Sequence, residues 1–535
     1  MQRRDFLRRT LEGATGLAIA LPTAAETFAE PLQIAQRAED SELDEVTIGD
    51  LQKGMESGRY TARGITETYL ERIERIDRHG PMLRSVLETN PDALEIADAL
   101  DRERRAGKIR GPLHGIPVLL KDNLDTHDRM TTTAGSLALE GSIPSQDSAV
   151  AAKLRAAGAI LLGKTNMSEW ANFRSERSSS GWSGRGGQCG NPYVLDRNPC
   201  GSSSGSGAAI SANLAPVAIG TETDGSIVCP SNACGLVGLK PTVGLVPGRG
   251  IIPISHTQDT AGPMTRTVTD AAIMLNAMAG DGITGSAASA NRAADYTKSL
   301  HPSGLQGARL GVLRAEFGFH PAVDKTLEAA LDDLKRLGAE LIDPVELPRN
   351  EKIGRNELTV LLYEFKHDLN AYLASLGPGA RVKSLQEAIE FNEKNADREM
   401  PWFGQELFIQ AEAKGPLTSQ QYRDALKYNL KQTREKGIDA TVKKHRLDAI
   451  VAPTGGPAWV TDWVNGDHFG GGSSSPAAIA GYPNITVPAG YVHGLPVGIS
   501  LFGRAWSEPV LLRLAFAYER ATEHRRKPQF LPSVA

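Results

Sequence analysis

The sequence contains few cysteines and has no strong excess of one charge. Four of its 535 residues are cysteine, too few for a disulfide-rich scaffold, and the formal net charge is −4. That charge gives no electrostatic reason to expect nucleic acid as a partner. Cys229 and Cys234 lack zinc-site spacing, and no histidine pair with ligand spacing lies beside them. The four cysteines are Cys189, Cys200, Cys229 and Cys234. We interpret them as small buried residues rather than as disulfide or metal partners, and a disulfide among them is kept as an open alternative.

Long hydrophobic runs, internal repeats and low-complexity tails are also lacking. The apolar stretch GLAIALPTAA near the N-terminus is too short to span a bilayer, and no later segment approaches the required length. With 40% apolar and 23% charged residues, the composition is typical of a soluble globular protein with a sizeable core. One large domain is favoured over two.

The N-terminal segment has the features of an export signal. It begins MQRRDFLRR, in which Arg3 and Arg4 precede Phe-Leu, and small residues follow the apolar stretch. This pattern predicts a twin-arginine-type signal over residues 1–29 and a mature domain over 40–535. The protein is then expected in the periplasm or secreted, without stable membrane insertion. A basic amphipathic helix is the simpler alternative.

Beyond this segment, helical and strand-like patterns alternate. The pattern predicts a helix over DSAVAAKLRAAG followed by a strand over AILLGKTN. The same order of helix and strand is predicted within EAALDDLKRLGAELID. GIPVLLKDN is a short apolar run that suits a buried strand. Residues 350–435 are more polar and helical, which predicts a helical insertion forming one wall of the molecule. The alternation indicates an α/β fold with a largely parallel or mixed sheet.

Lys121 follows five uncharged residues on the predicted buried strand. Burial disfavours the charged form, and a base working near neutrality needs a pKa of about 7–8. The alternative is a lysine at a strand end whose head reaches water or pairs with Asp122 or Asp125. Taken alone, Lys121 favours that simpler interpretation.

Two turns rich in glycine and serine are the other candidates for chemistry. CGSSSGSG contains Ser202, Ser203 and Ser204 before a helix-like run, and GTETDGSIVCP places Ser226 after Gly225. Successive backbone N–H groups in the second turn can converge as an oxyanion hole, in which one donor contributes about 3–4 kcal/mol. A flexible linker and a phosphate cradle are the alternatives, but neither G-x-x-x-x-G-K-[ST] nor G-x-G-x-x-G occurs here.

A Ser-His-Asp triad built on His114 or His256 is a further alternative. The nucleophile-elbow motif G-x-S-x-G does not occur beside either histidine. We therefore expect both histidines to be packing or hydrogen-bonding residues.

These stretches resemble the segments of the amidase signature hydrolases. The family's two turns and the helix between them correspond to CGSSSGSGAAISANLAPVAIGTETDGSIVCP. Other segments similar to the family are GPLHGIPVLLKDN, TTAGS, AAGAILLGKTNMSEWA, GLVGLKPTVGLVP, DTAGPMTRTVTDAA and GYPNITVPAGYVHGLPVGISLFG. The resemblance covers nearly the whole mature chain. It implies the family's α/β fold, a single domain with a large mixed central β-sheet flanked by helices.

The resemblance also implies roles for individual residues. Ser226 would be the acylating nucleophile, Lys121 the terminal base kept neutral by burial, and Ser202 the bridge between them. The Ser202 peptide bond is cis in the family. No metal or organic cofactor is implied. The expected oxyanion hole and its support are the backbone amides of Thr223, Asp224, Gly225 and Ser226, with Ser203 and Gly201 nearby.

Departures from the family pattern bear on the substrate. The usual Gly-Thr-Asp-x-Gly-Gly-Ser-Ile-Arg is altered at Glu222, Asp224 and Val228. Together with the export signal, GTETDGSIVCP resembles the bacterial peptide amidase branch, which removes the C-terminal amide nitrogen of peptide amides as ammonia. The expected partner is thus a small-molecule or short peptide amide, and the oligomeric state is open.

Three other functions remain as alternatives. A subunit that makes Gln-tRNA or Asn-tRNA by amide transfer works in the cytoplasm, which the export signal and the net negative charge argue against. A general aliphatic or aryl amidase of the same family would share the mechanism. A non-catalytic amide-binding protein would keep the fold, although all three catalytic side chains are present here.

Overall fold

The computed structural model describes residues 41–280, 290–293, 295–377 and 379–534. The predicted export signal, residues 1–29, lies outside the described residues and stays a prediction. The strands are β1 (Val86–Thr89), β2 (Pro117–Lys121), β3 (Ile160–Thr165), β4 (Trp182–Ser183), β5 (Gly187–Gln188), β6 (Val217–Glu222), β7 (Val237–Lys240), β8 (Thr260–Thr265), β9 (Arg309–Val312), β10 (Glu340–Ile342), β11 (Ala449–Pro453), β12 (Asn484–Val492) and β13 (Leu495–Phe502).

Helices separate most of these strands. The α-helices include Ile48–Glu56, Ala62–Arg72, Ala93–Arg105, Ala149–Ala156, Ser204–Ser211, Val228–Ala233, Val268–Met278, Pro321–Arg336, Glu351–Ser375, Leu385–Lys394, Ala396–Glu399, Glu406–Glu412, Gln420–Leu430, Asp439–His445, Ser475–Ala480 and Glu508–Thr522. Wider π-helical turns cover Ile73–His79 and Lys431–Ile438, and short 3₁₀ turns cover Leu137–Leu139, Glu169–Asn172, Tyr296–Ser299 and Arg314–Glu316.

A large mixed sheet forms the centre of the fold. In the described part of the chain it has eleven strands in the order β1-β3-β2-β6-β8-β7-β12-β13-β11-β9-β10, while β4 and β5 pair separately. Strand β2 is parallel to β3 and β6, and β9 is parallel to β10 and β11, whereas the other neighbours are antiparallel. The predicted α/β fold with a mixed central sheet is confirmed.

The core explains why the middle strands read as continuous apolar runs. Every residue of β2, β3 and β6 is buried, as expected for strands covered on both faces. Helices Ala149–Ala156 and Val268–Met278 contribute apolar side chains to the same cluster as these strands. Any charged side chain at the inner end of such a strand is consequently shielded from water.

Strand register brings the two candidate motifs together. Strands β2 and β6 are parallel neighbours, with Val118 opposite Val217 and Leu120 opposite Ile219. Because the carboxyl ends of parallel neighbours lie at the same edge, Lys121 and Thr221 come side by side. The chain then leaves β6 directly into the second glycine-serine turn and the helix Val228–Ala233.

Helices occupy the polar segment predicted as an insertion. The longest, Glu351–Ser375, contributes Phe365 and Leu369 to an apolar cluster that includes Phe173 and Phe408. This helix is thereby packed against the segment that contains Phe173. Among the described helices, none has the length and apolar character needed to cross a membrane.

Candidate active site

Lys121 lies at the buried end of β2, with a fully buried side chain. Its Nζ lies 2.7 Å from Ser202 Oγ, 3.0 Å from Thr221 Oγ1 and 3.2 Å from the Thr221 carbonyl oxygen. Thr221 Oγ1 also accepts a hydrogen bond of 2.9 Å from Asn123 Nδ2. The amine is therefore held at three points in a site without water access.

Burial sets the protonation state of this amine. It lowers the pKa of Lys121 to about 7, although the charges of Asp259 and Glu222 act in the opposite direction. A neutral amine can donate to Thr221 and keep a lone pair for the Ser202 hydroxyl. The simpler interpretation, in which Lys121 reaches water or pairs with Asp122 or Asp125, is wrong, because its neighbours are Ser202 and Thr221 instead.

The first turn presents Ser202 to the lysine. The Gly201–Ser202 peptide bond is cis. A Cβ at Gly201 would collide with Ser168 Oγ, so a larger residue before Ser202 would force Ser168 to move. The helix Ser204–Ser211 begins directly after the turn, and Ser204 Oγ donates a 2.6 Å hydrogen bond to the Cys200 carbonyl. The Ser202 hydroxyl is thus fixed by a tightly packed backbone.

Ser203 connects the two turns. Its backbone N–H donates to the Ser226 carbonyl at 3.2 Å. Its hydroxyl donates to the Thr221 carbonyl at 3.1 Å and accepts from the Thr221 N–H at 3.2 Å. Ser203, the supporting residue expected from the sequence, therefore connects the first turn, the end of β6 and the second turn.

The second turn, residues 223–226, leaves its backbone donors available. Gly225 has a φ of 81°, a left-handed conformation that favours glycine. Across the described part of the chain, no protein acceptor is seen for the backbone N–H groups of these four residues. Ser226 is 9% exposed, so its hydroxyl region is reached from outside. Such a turn can hold an oxyanion close to Ser226.

Glu222 stabilises the chain just after Ser226. Its buried carboxylate accepts hydrogen bonds from the backbone N–H groups of Ile227 at 2.7 Å and Val228 at 3.0 Å. Burial raises the pKa of Glu222, and the charge of Lys240 opposes that shift. This departure from the family pattern therefore positions the first turn of the helix that follows Ser226.

Side chains from other segments anchor the second turn. Thr223 Oγ1 donates to Asp259 Oδ1 at 2.6 Å, and Gln258 Nε2 donates to the Thr223 carbonyl at 3.3 Å. Ser474 Oγ donates to the carboxylate of Asp224. Burial raises the pKa of Asp259 to about 6. None of these anchors has a local sequence signal, and our sequence analysis missed Asp259, Gln258 and Ser474.

The cysteines correct one prediction. Cys200 and Cys229 form a disulfide, whereas Cys189 and Cys234 are free and buried. The interpretation of all four as small buried residues is therefore wrong for one pair. Cys200 lies two residues before Ser202, so the disulfide joins the first turn to the helix after Ser226.

A cavity of about 450 Å³ opens beside the two turns. Its walls include Gly201, Gly225, Leu361, Trp459 and Phe469. Its size is within the range of small-ligand sites, and its walls combine apolar side chains with the polar turns. A small amide or the end of a short peptide can enter it.

The two histidines lie apart from this site. His114 is buried, with Nε2 3.0 Å from the Leu100 carbonyl oxygen. His256 Nδ1 lies 2.8 Å from Asp368 Oδ2, and this hydrogen bond raises the pKa of the histidine. Neither makes a hydrogen bond to Lys121 or Ser202, so a Ser-His-Asp triad has no support.

The comparison with known proteins identifies the class. A family model described as Amidase matches residues 64–512. The chain belongs to the amidase signature family, as predicted, and is a hydrolase of that family. It is 42% identical over 501 residues to a probable amidase from Arabidopsis thaliana. The alignment covers 91% of this chain and 92% of the relative.

Among solved structures, the chain is similar to peptide amidases. The native peptide amidase from Stenotrophomonas maltophilia is 50% identical with a TM-score of 0.86, and the match covers 91% of this chain and 99% of that one. A structure of the peptide amidase PAM in complex with the competitive inhibitor chymostatin is 51% identical with a TM-score of 0.87, over the same shares of both chains.

Proposed function

We propose that the protein hydrolyses the C-terminal amide of peptide amides, with Ser226 as nucleophile, Ser202 as bridge and Lys121 as base. One observation carries the mechanism: the buried Lys121 amine lies 2.7 Å from Ser202 Oγ, at the end of the strand that neighbours the nucleophile turn. A buried amine with a pKa of about 7 is suited to general-base work at neutral pH.

In the first half of the reaction, Ser226 is acylated. Lys121 takes the proton of Ser202 Oγ, Ser202 takes that of Ser226 Oγ, and Ser226 Oγ bonds to the amide carbonyl carbon. The carbonyl oxygen becomes an oxyanion, which the free N–H groups of residues 223–226 stabilise. The carbon–nitrogen bond then breaks, Ser202 gives its proton to the nitrogen that leaves as ammonia, and Lys121 returns its proton to Ser202, so that the amine is neutral again.

In the second half, water replaces ammonia. Ser202 removes a proton from water with Lys121 as the final acceptor, and the resulting hydroxide attacks the acyl carbon. The ester bond to Ser226 breaks, Ser226 Oγ regains a proton, and the peptide leaves as a carboxylate. The proton that Ser226 regains comes from Lys121 through Ser202, and the carboxyl group of the product loses its own proton to the solvent.

The choice of peptide amides is supported by the likeness to peptide amidases of known structure. The cavity of about 450 Å³ accommodates the last residues of a short peptide, and Trp459 and Phe469 offer apolar surface to its side chains. A general aliphatic or aryl amidase would use the same turns.

A three-substrate assay tests the substrate class. We expect ammonia release from a dipeptide C-terminal amide to exceed release from the asparagine side-chain amide and from a simple aliphatic amide by at least about tenfold in kcat/KM. The reason is that the cavity walls contact the peptide beyond the reacting group, and one such contact is worth about 10–200-fold.

The outcomes separate the alternatives. Faster release from the aliphatic amide would keep the mechanism and replace the substrate. Fluorophosphonate labelling of Ser226 without any ammonia release would show a reactive turn and refute the three substrate classes together. A wild-type protein that neither labels nor releases ammonia would favour the amide-binding alternative.

We also propose that the protein is exported in folded form through its twin-arginine-type signal, to the periplasm or beyond. The Cys200–Cys229 disulfide supports this proposal, since disulfides persist in oxidising compartments and are rare in the cytoplasm. We expect a variant with Arg3→Lys and Arg4→Lys to stay in the cytoplasm with all four cysteines reduced.

Cell fractionation followed by thiol alkylation under denaturing conditions measures both effects. Exported wild-type protein is expected to alkylate only at Cys189 and Cys234, the two free cysteines. Unchanged export of the double-lysine variant would refute the twin-arginine assignment. If all four cysteines of exported protein were alkylated, the disulfide would be absent after export and would no longer support an oxidising location.

A further inference from the structure

Glu357 lies far in sequence from both signature turns but close to them in space. It belongs to the helix Glu351–Ser375, and its side chain lines the catalytic cavity together with Asp224 and Gly225. It also borders a neighbouring cavity of about 280 Å³. The signature motifs assign no role to this helix or to Glu357.

Hydrogen bonds connect Glu357 to the nucleophile turn. Gln258 Nε2 donates to Glu357 Oε1 at 3.1 Å and to the Thr223 carbonyl at 3.3 Å, so one amide group bridges the helix and the turn. The Glu357 carboxyl group is also hydrogen-bonded to the carboxyl group of Asp224, which accepts from Ser474 as well. The helix is therefore connected to two successive residues of the proposed oxyanion hole, to Thr223 through Gln258 and to Asp224 through Glu357.

The contact between two carboxyl groups requires a proton. Two carboxylates at hydrogen-bond distance cannot both ionise without a large energetic cost. Burial and the charge of Asp224 raise the pKa of Glu357 well above its ordinary value, so Glu357 holds the proton and donates it to Asp224. Of the other charged groups nearby, Asp259 lies behind Thr223, while Asp467 and Glu316 lie on the walls of the two cavities.

We propose that Glu357 is a positioning residue for amide hydrolysis: its carboxyl group, through Asp224 and Gln258, holds residues 223–226 in the shape that the oxyanion hole requires. The inference rests on the proposed use of this turn. Glu357 does not touch the reacting atoms. Its effect is exerted on the backbone N–H groups, and therefore on the transition state rather than on substrate binding.

Two substitutions and a control test the inference. Glu357→Leu removes both hydrogen bonds and is expected to lower kcat by about 10–100-fold with KM changed less than about threefold. Glu357→Gln is expected to restore kcat to within about threefold of wild type, because its oxygen can accept from Gln258 and its amide can donate to Asp224. Glu351→Gln, an exposed position on the same helix, is the matched control.

The pH profile distinguishes positioning from a merely structural role. In the wild type, activity is expected to fall at alkaline pH as Glu357 loses its proton and two carboxylates face each other. Glu357→Gln cannot ionise and is expected to lose this alkaline decline while keeping the acid decline. An alkaline decline that is identical in both proteins, or a glutamine variant as slow as the leucine variant, would overturn the inference.

The rate of Ser226 labelling by a fluorophosphonate is measured in parallel, because it depends on the turn and not on the substrate class. Wild type that labels but hydrolyses no peptide amide would refute the proposed substrate alone. Equal labelling rates in wild type and Glu357→Leu would refute the positioning role alone. Thermal melting of each variant excludes a folding defect as the cause of a slow rate.

Discussion

Ser226→Ala is expected to lower kcat for amide hydrolysis by about 10⁴-fold or more while the protein stays folded. In the proposed mechanism, this substitution removes the protein atom that bonds to the acyl carbon. Ser226 is 9% exposed, and no hydrogen bond of its Oγ is seen among the described residues. Ammonia release measures the rate, and circular dichroism with thermal melting measures the fold.

Ser206→Ala is a suitable control for this loss. Ser206 is a buried serine on the helix Ser204–Ser211, where its hydroxyl contacts Thr165 Oγ1 at 2.8 Å and the Ile219 carbonyl at 3.0 Å. Its replacement removes a buried hydroxyl of the same kind without touching the proton path, so any change is expected in stability. Comparable activity of Ser226→Ala and Ser206→Ala would remove Ser226 from the mechanism.

Residues that act as one unit show strongly non-additive losses. Ser202→Ala breaks the proton path next to Lys121 and is expected to cost a similar factor. The double variant is then expected to be no slower than the worse single variant. A fully multiplicative loss would mean that the two serines act in separate steps.

The signature turns could be predicted because their chemistry is local. Glycines at strained positions, hydroxyls beside them and a following helix are adjacent in the chain, so CGSSSGSG and GTETDGSIVCP already contained Ser202 and Ser226. The sheet class followed from helix–strand alternation for the same reason. Strand β3, predicted from AILLGKTN, occurs at Ile160–Thr165, and strand β2, predicted from GIPVLLKDN, occurs at Pro117–Lys121.

The anchors of the nucleophile turn could not be predicted from local patterns. Glu357 and Ser474 lie well over one hundred residues after Asp224 in the chain, within an ordinary amphipathic helix and a glycine-serine loop. Their role depends on the packing of the helix Glu351–Ser375 against the cavity, which no spacing in the sequence encodes. A carboxyl group on such a helix becomes informative only after its neighbours are known.

The surroundings of Lys121 and the pairing of the cysteines also could not be predicted from local sequence patterns. Whether a lysine at a strand end is shielded from water depends on the neighbouring strands. Here the parallel strand β6 brings Thr221 to the Lys121 amine, which water would otherwise solvate. The pairing of Cys200 with Cys229 depends on how close the two turns approach, which sequence spacing did not reveal. In both cases the deciding contact is made by a residue distant in the chain.

Lys121→Met is expected to lower kcat/KM by about 10³–10⁴-fold and to abolish the acid decline of the wild-type pH profile. In the wild type, the base works only when neutral, and burial lowers its pKa to about 7. As pH falls below about 7, Lys121 takes a proton and kcat/KM is expected to fall tenfold per pH unit. Lys164→Met removes another buried lysine, which contacts Leu124 and Thr132 instead of Ser202 and Thr221, and is expected to leave the acid decline in place.

Asp259 is the main competing source of an acid decline, because its pKa is raised to about 6 and its carboxylate accepts the Thr223 hydroxyl. Protonation of Asp259 would weaken the anchor of the turn, whereas protonation of Lys121 would remove the base itself. Asp259→Asn separates the two, since asparagine keeps an oxygen acceptor for Thr223 but does not titrate. If Lys121 is the base, an acid decline persists in Asp259→Asn at a lower overall rate, and its midpoint moves below pH 7 because the Asp259 charge that raises the pKa of Lys121 is removed. If the midpoint disappears there and survives in Lys121→Met, the titrating group is Asp259, and the role of Lys121 as base is refuted.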